Sequence, residues 1–250
     1  MTGAAVSSPT TVIPAPRRPG DDRLPPAGAC RATAYQRVLH QLVRRELRLL
    51  SELARWAPAD EADRSATLTR HAELIGRVLL HHHAVEREGL WPVLLRAVDP
   101  MRTGEVGAAV EDWTRRCARI DHMLRDVATA ARQWAVAETE PARDAFAAAC
   151  RALADAVDEQ TALEEKTLLP LLSTHLRDDD WMAIAASSHC RLSPREQLLV
   201  LGLALEDSSA GDRARLMVGL PRSVRAAWHL HGRRTYRAAV VKLRGAPPAA

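Results

Sequence analysis

The chain is short of the residues that build sheets. Of its 250 residues only one is Phe and two are Tyr, while Ala, Leu, Val and Arg dominate, a mix that favours helix over strand. Lysine is nearly missing as well. Lys166 and Lys242 are the only two, arginine carries almost all the positive charge, and the formal net charge is +4. So small a balance speaks for nucleic acid only when the basic residues share one face. Arg222, Arg225, Arg233, Arg234, Arg237 and Arg244 spread around their segment instead, so nucleic acid is not an expected partner. Cys30, Cys117, Cys150 and Cys190 are widely spaced and form no CxxC pair, which suits a reducing compartment better than a disulfide framework. No apolar signal-peptide core stands near the N-terminus, and no run approaches about eighteen apolar residues. The expectation is a soluble, cytoplasmic protein with no membrane partner.

What is present is helical periodicity. Residues 1–31 are rich in Pro, Gly, Ser and Ala and read as a disordered tail. Four amphipathic patterns follow, from Ala32 to Trp56, Ser65 to Val98, Gly104 to Val136, and Pro141 to about Leu176. Pro58 and Asp99-Pro100 stop the first two, and Pro141 suits a first helical turn. Short connections imply antiparallel neighbours, so residues 32–176 are expected to form an all-α, up-down-up-down four-helix bundle.

After Asp178-Asp179-Asp180 the pattern weakens, then resumes with the capping box Ser193-Pro194-Arg195-Glu196, which opens a helix to about Glu206. Further amphipathic stretches run from Gly211 to Leu220 and from Arg222 to Arg244. Residues 177–245 are therefore expected to be a helical extension packed outside the bundle, and 246–250 a loose tail. The chain also repeats itself: His82, Glu86, Leu90, Pro92 and Leu94 recur as Gln160, Glu164, Leu168, Pro170 and Leu172, as a duplicated helix pair would.

At about 100° per residue, Leu68, Ile75, Val78, Leu79, Val85 and Val93 define the inward face of the second pattern, and His82 and Glu86 stand in its middle. Gln160 and Glu164 hold the same place in the fourth. On the third, Cys117 and Asp121 share the arc of Val110, Trp113, Ile120 and Leu124. Three helices that each aim a polar pair into a core are costly unless the groups are paired or coordinate a metal. A hydrogen-bonded polar layer is the plainer reading, but three stacked pairs favour a site. By depth along the bundle, His40 is the residue of the first helix level with His82. Glu46 points more directly inward yet lies about 9 Å nearer the loop, and is expected to stand behind the ligands.

Other histidines are set aside. His71 faces inward but lies about 16 Å from His82 along the helix, as a satisfied core histidine would. His81 and His83 flank the core direction and are expected at the edge or surface. His175, His189, His229 and His231 have no carboxylate at ligand spacing.

Three stretches, His40-Gln-Leu-Val-Arg-Arg-Glu-Leu, His82-His83-Ala-Val-Glu86-Arg-Glu-Gly-Leu-Trp-Pro and Glu164-Glu165-Lys-Thr-Leu-Leu-Pro, resemble the hemerythrin-like (HHE) domain family over about residues 32–176. The resemblance implies a bundle holding two non-heme irons, with O2 or NO binding, iron storage or sensing, or peroxide chemistry. Its ligand pattern falls on His40, His82, Glu86 and Glu164. Two family histidines are missing: Gln160 stands at one position, and Cys117 at the other, because Arg119-Ile120-Asp121 resembles the stretch after the family's third-helix ligand. His122 projects about 140° from the core face and reads as a surface residue.

The family's irons draw imidazoles from the first and last helix pairs respectively, so the loss falls on one half. The metal set is thus His40, His82, Glu86 and Glu164, with Cys117, Gln160 and Asp121 beside it. Two imidazoles and carboxylates suit Fe, Mn or Zn, with one iron expected ahead of two. The leading function is a metal protein handling O2, NO or peroxide. Its alternatives are a metal-free bundle acting as a scaffold or interaction module, and an oxidative enzyme with an altered centre.

Overall fold

A computed structural model describes residues 31–188 and 191–245. The tail expected over 1–31, save Arg31, the end at 246–250, His189, Cys30 and Cys190 lie outside the described residues. Helices supply all the regular structure among the described residues.

The bundle consists of α1 (Arg31–Trp56), α2 (Ala62–Val85), α4 (Thr103–Ala137) and α5 (Glu140–Thr167), with a short α3 (Trp91–Ala97) following α2 and a short α6 (Leu169–His175) following α5. Short connections reverse the chain between bundle helices. α1 packs on α2, α2 on α4, α4 on α5 and α5 back on α1, the closed ring of a four-helix bundle.

Where the sequence predicts an unbroken helix from Ser65 to Val98, the chain makes a π turn over Glu86–Leu90, in which the Trp91 N–H bonds to the Glu86 carbonyl. Pro92 is the physical reason: it has no N–H, and its ring collides with the carbonyl four residues back in a regular helix, so a widened turn relieves both. The second copy of the repeat breaks at the same place, at Leu168 ahead of Pro170.

The acidic stretch thought to interrupt the pattern instead begins a helix, α7 (Asp178–Ser187). Its three aspartates sit in the first turn, where carboxylates complement the exposed N–H groups, and Asp180 accepts from the Arg177 N–H. α7 lies across the π turn. A Cβ on Gly89 would meet Ile184 Cγ2 at 2.6 Å, so this approach requires glycine. Trp181 stacks at a tilt on Tyr35, ring centroids 4.9 Å apart.

The extension continues with α8 (Pro194–Glu206), α9 (Ala210–Gly219), α10 (Arg222–Ala227), a second π turn at Trp228–Gly232, and α11 (Arg233–Arg244). The expected capping box opens α8: Ser193 Oγ accepts from the Glu196 N–H, and the Ser193 N–H donates to Glu196 Oε2. α8 and α9 lie against α1, and α11 also touches α2. This layer does more than sit outside, because Leu198, Leu201, Leu203, Tyr236, Val240 and Leu243 join the same buried apolar cluster as Leu42, Leu50 and Leu79.

Glu46 fastens the layer to the bundle and does not stand behind the ligands. Fully buried, it accepts from Arg45 Nε and Arg244 Nη2, each at 2.7 Å, and its other oxygen lies 2.7 Å from His71 Nε2. His71 is thus a satisfied core histidine, as expected. Arg244 and Arg45 also reach Glu206, which accepts from the Tyr236 hydroxyl. Burial alone would raise the Glu46 carboxyl; His71, then Arg45 and Arg244, outweigh it and hold it down at about 2.

A depressed carboxyl stabilises the fold above its ordinary value and loses that contribution as pH falls towards its folded value. Wild-type stability should therefore drop between pH 4.5 and about 2, and Glu46→Gln should flatten that window. Glu46→Ala, which leaves His71 without its carboxylate and Arg45 and Arg244 to share Glu206, should cost about 3 kcal/mol in urea unfolding.

Candidate metal centre

A polar stratum divides the bundle's interior. On α1 the larger apolar cluster begins at Val38, and on α2 it ends at Leu79; on α4 it resumes at Ile120, and on α5 it stops at Val157. The other cluster, with Trp91, Leu94, Trp113, Leu168 and Leu172, lies on the far side. Where the two meet are Gln36 and His40 from α1, His82 and His83 from α2, Glu86 at the start of the π turn, Cys117 from α4, and Gln160 and Glu164 from α5, all buried.

His40, His82 and Glu86 each bring a ligand atom within 4.8 Å of the others. His82 Nε2 is 3.3 Å from Glu86 Oε1, and His40 Nε2 is 3.5 Å from Glu164 Oε1. The two rings meet edge to face, 5.2 Å between centroids. His40 Nδ1 lies 2.9 Å from Glu165 Oε1, which fixes the ring and leaves Nε2 pointing inward. Gln36 Nε2 donates to Glu86 Oε1 at 2.6 Å and more weakly to Glu164 Oε1 at 3.5 Å. His40 Nε2, both nitrogens of His82, Glu86 Oε2 and Glu164 Oε2 are buried without a hydrogen-bond partner. Orphaned acceptors and imidazoles converging from three helices fit a divalent cation, whose coordination would satisfy what the protein leaves unpaired.

The electrostatics agree. Burial holds the His82 imidazole well below its usual value, and neighbouring His40, His83 and His81 act the same way, so it is neutral and able to ligate. Burial and the facing Glu164 push the Glu86 carboxyl well up. Burial pushes Glu164 up too, but His40 outweighs it and holds that carboxyl low. Burial would lower His40, yet Glu164 and Glu165 raise it. The Cys117 thiol is raised by burial and by Glu86.

Six of the residues singled out from the sequence, His40, His82, Glu86, Cys117, Gln160 and Glu164, share this stratum. Gln160 Nε2 donates to Cys117 Sγ at 3.0 Å. Asp121 stands at the edge, with Oδ1 2.9 Å from His83 Nδ1 and Oδ2 3.4 Å from Arg87. His122 is exposed, beside Arg125.

His83 is the correction: expected at the edge or surface, it is 2 % exposed, because α4 covers that flank of α2 with Asp121 and the edge of Trp113. Sequence reasoning also missed Gln36 and Glu165. Gln36 lies one turn before His40 on the same face, a spacing that could have revealed it. Glu165 is the neighbour of a ligand candidate, and no periodicity aims it at His40.

Since the folded state holds Glu86 above the ordinary 4.5, that carboxyl opposes folding once pH exceeds this value. Glu86→Gln should raise the stability of chelator-treated protein at pH 7 by about 1 kcal/mol, about 2–4 °C in Tm by calorimetry, while weakening metal uptake.

No curated protein and no solved structure matches the chain. The profile described as Hemerythrin HHE cation binding domain matches residues 32–172, a span that holds the four bundle helices and every member of the stratum. By that match the chain belongs to the hemerythrin HHE cation-binding domain family.

Proposed function

We propose that the chain holds a non-heme metal, iron first and Mn or Zn as competitors, between His40, His82, Glu86 and Glu164, and handles a small molecule such as O2, NO or peroxide there. The observation that carries this reading is the buried convergence of His40, His82 and Glu86 ligand atoms within 4.8 Å, with neither His82 nitrogen hydrogen-bonded. Iron, when bound, supplies Lewis acidity and redox chemistry towards such a ligand. The protein's part is positioning and exclusion. Glu165 holds the His40 ring in one tautomer and orientation. Gln36 offers its amide N–H to the carboxylates. Apolar residues on both sides, with Tyr35 beside His82, keep bulk water out and strengthen local electrostatics.

The metal-free scaffold has one observation in its favour: Gln36 on Glu86 and Gln160 on Cys117 satisfy part of the stratum without a cation. It leaves both His82 nitrogens, His40 Nε2 and two carboxylate oxygens without a partner, and ranks second for that reason.

Full-length protein reconstituted anaerobically with ferrous iron and desalted should retain iron by elemental analysis. His40→Ala and His82→Ala should each abolish retention at the imidazole position. A wild-type chain that emerges free of iron, Mn and Zn after loading with each would sink the metal reading in favour of the scaffold. Glu165→Gln should weaken iron affinity about 10–100-fold while leaving the saturated stoichiometry and the circular dichroism unchanged.

A further inference from the structure

A second group of ligand atoms lies beside the first: His83, Glu86 and Cys117 also come within 4.8 Å of one another, all buried. We propose that these three residues form a second metal position, built on a thiolate and distinct in character from the imidazole-rich one, which takes a borderline-soft divalent first-row cation such as Zn2+ or Co2+. The inference deepens the metal reading above and rests on it only through Glu86, whose carboxylate serves both positions.

Several independent features point the same way. His83 is prepared as His40 is: its Nδ1 lies 2.9 Å from Asp121 Oδ1, as His40 Nδ1 lies 2.9 Å from Glu165 Oε1. A carboxylate behind the ring fixes which nitrogen is offered to a metal, and the bundle builds that arrangement twice, with carboxylates from α4 and α5. Arg87 reaches Asp121 from the solvent side and balances its charge. At the sulfur, the Gln160 Nε2 donor at 3.0 Å supports negative charge on Cys117. Gln160 Oε1 is buried with no partner, a neutral oxygen directed into the same stratum. Glu86 carries two oxygens, one bonded to Gln36 and facing His82, the other unpaired.

The two positions therefore differ in kind. The first offers two imidazoles and carboxylate oxygen, the second one imidazole, one carboxylate and one thiolate, and sulfur prefers the softer cation. The half of the centre that the sequence reads as lost is thus rebuilt with other donors: His83, one residue along α2, supplies the imidazole, and Cys117 replaces the second. The cation forms bonds to Cys117 Sγ and to a Glu86 carboxylate oxygen; the S–H bond breaks, its proton leaves to solvent together with the proton of any neutral Glu86 carboxyl, and no group changes oxidation state.

Metal-free full-length protein titrated with Co2+ provides the test, because a cobalt–thiolate bond produces a near-ultraviolet charge-transfer band that nitrogen and oxygen ligands do not. The band should grow to saturation with release of at least one proton per sulfur-bound cation. Cys117→Ser and Cys117→Ala should both abolish it, His83→Ala should weaken the band-forming affinity at least tenfold, and Cys150→Ser should leave it intact. His40→Ala should remove cobalt from the imidazole position and keep the band.

Cobalt bound without the band, or a band that survives both Cys117 variants, overturns the proposal and leaves the His40–His82 reading standing. Loss of the band in His40→Ala overturns the assignment of two separate positions. A band whose cobalt stoichiometry His40→Ala does not change upholds the thiolate position and overturns the imidazole one. A wild-type chain that takes up no cobalt overturns both.

Discussion

Glu86 and Glu164 face one another at the centre of the bundle, both buried and both carboxylates. Two like charges in a dry interior cannot both ionise without a nearby cation or strong donors, and the arrangement of the stratum follows from that constraint. His40 lies against Glu164, Gln36 donates to both carboxyls, and Glu86 is pushed towards its neutral form. The protein supplies partial compensation and leaves both ring nitrogens of His82 without a hydrogen bond. In the proposed metal reading a divalent cation would complete the balance, and Glu86 would then give up stability only in the metal-free chain.

The backbone serves the same end. Glu86 opens the π turn that Pro92 requires, so this buried carboxyl sits where the helix changes register. The widened turn is covered by α7, whose Ile184 fits only because residue 89 is glycine. The matching break before Pro170 comes after Glu164. In both halves of the repeat a carboxylate is followed by a proline-induced irregularity and then by leucines that fill the smaller apolar cluster.

Holding the helices at fixed depth falls to a different set of charges. The cluster of Glu46, His71, Arg45, Arg244 and Glu206 joins α1, α2, α8 and α11. It lies midway along the larger apolar cluster, which continues past it on α1 to Leu50, Ala54 and Ala57. Buried charge thus appears in two forms. Around Glu46 each oxygen is matched by a cation or an imidazole and the carboxyl is held at about 2; around Glu86 it is undermatched. The difference separates a clamp from a site.

Much of this was legible in the residues. Periodicity of about 3.6 placed the four bundle helices within a few residues, set His82, Glu86, Gln160 and Glu164 inward, and the repeat with the motif placed Cys117 among them. These are properties of single helices, for which a residue's direction follows from its number. Tertiary structure decided what depends on a neighbour. His83 is buried because α4 covers that flank of α2, and Glu165 meets His40 because α5 lies against α1. Glu46 turned out to be a clamp because Arg244, far away in sequence, returns to it. One helix's periodicity says which way a side chain points, whereas partners and coverage depend on packing between segments distant in sequence, and only the folded chain fixes that packing.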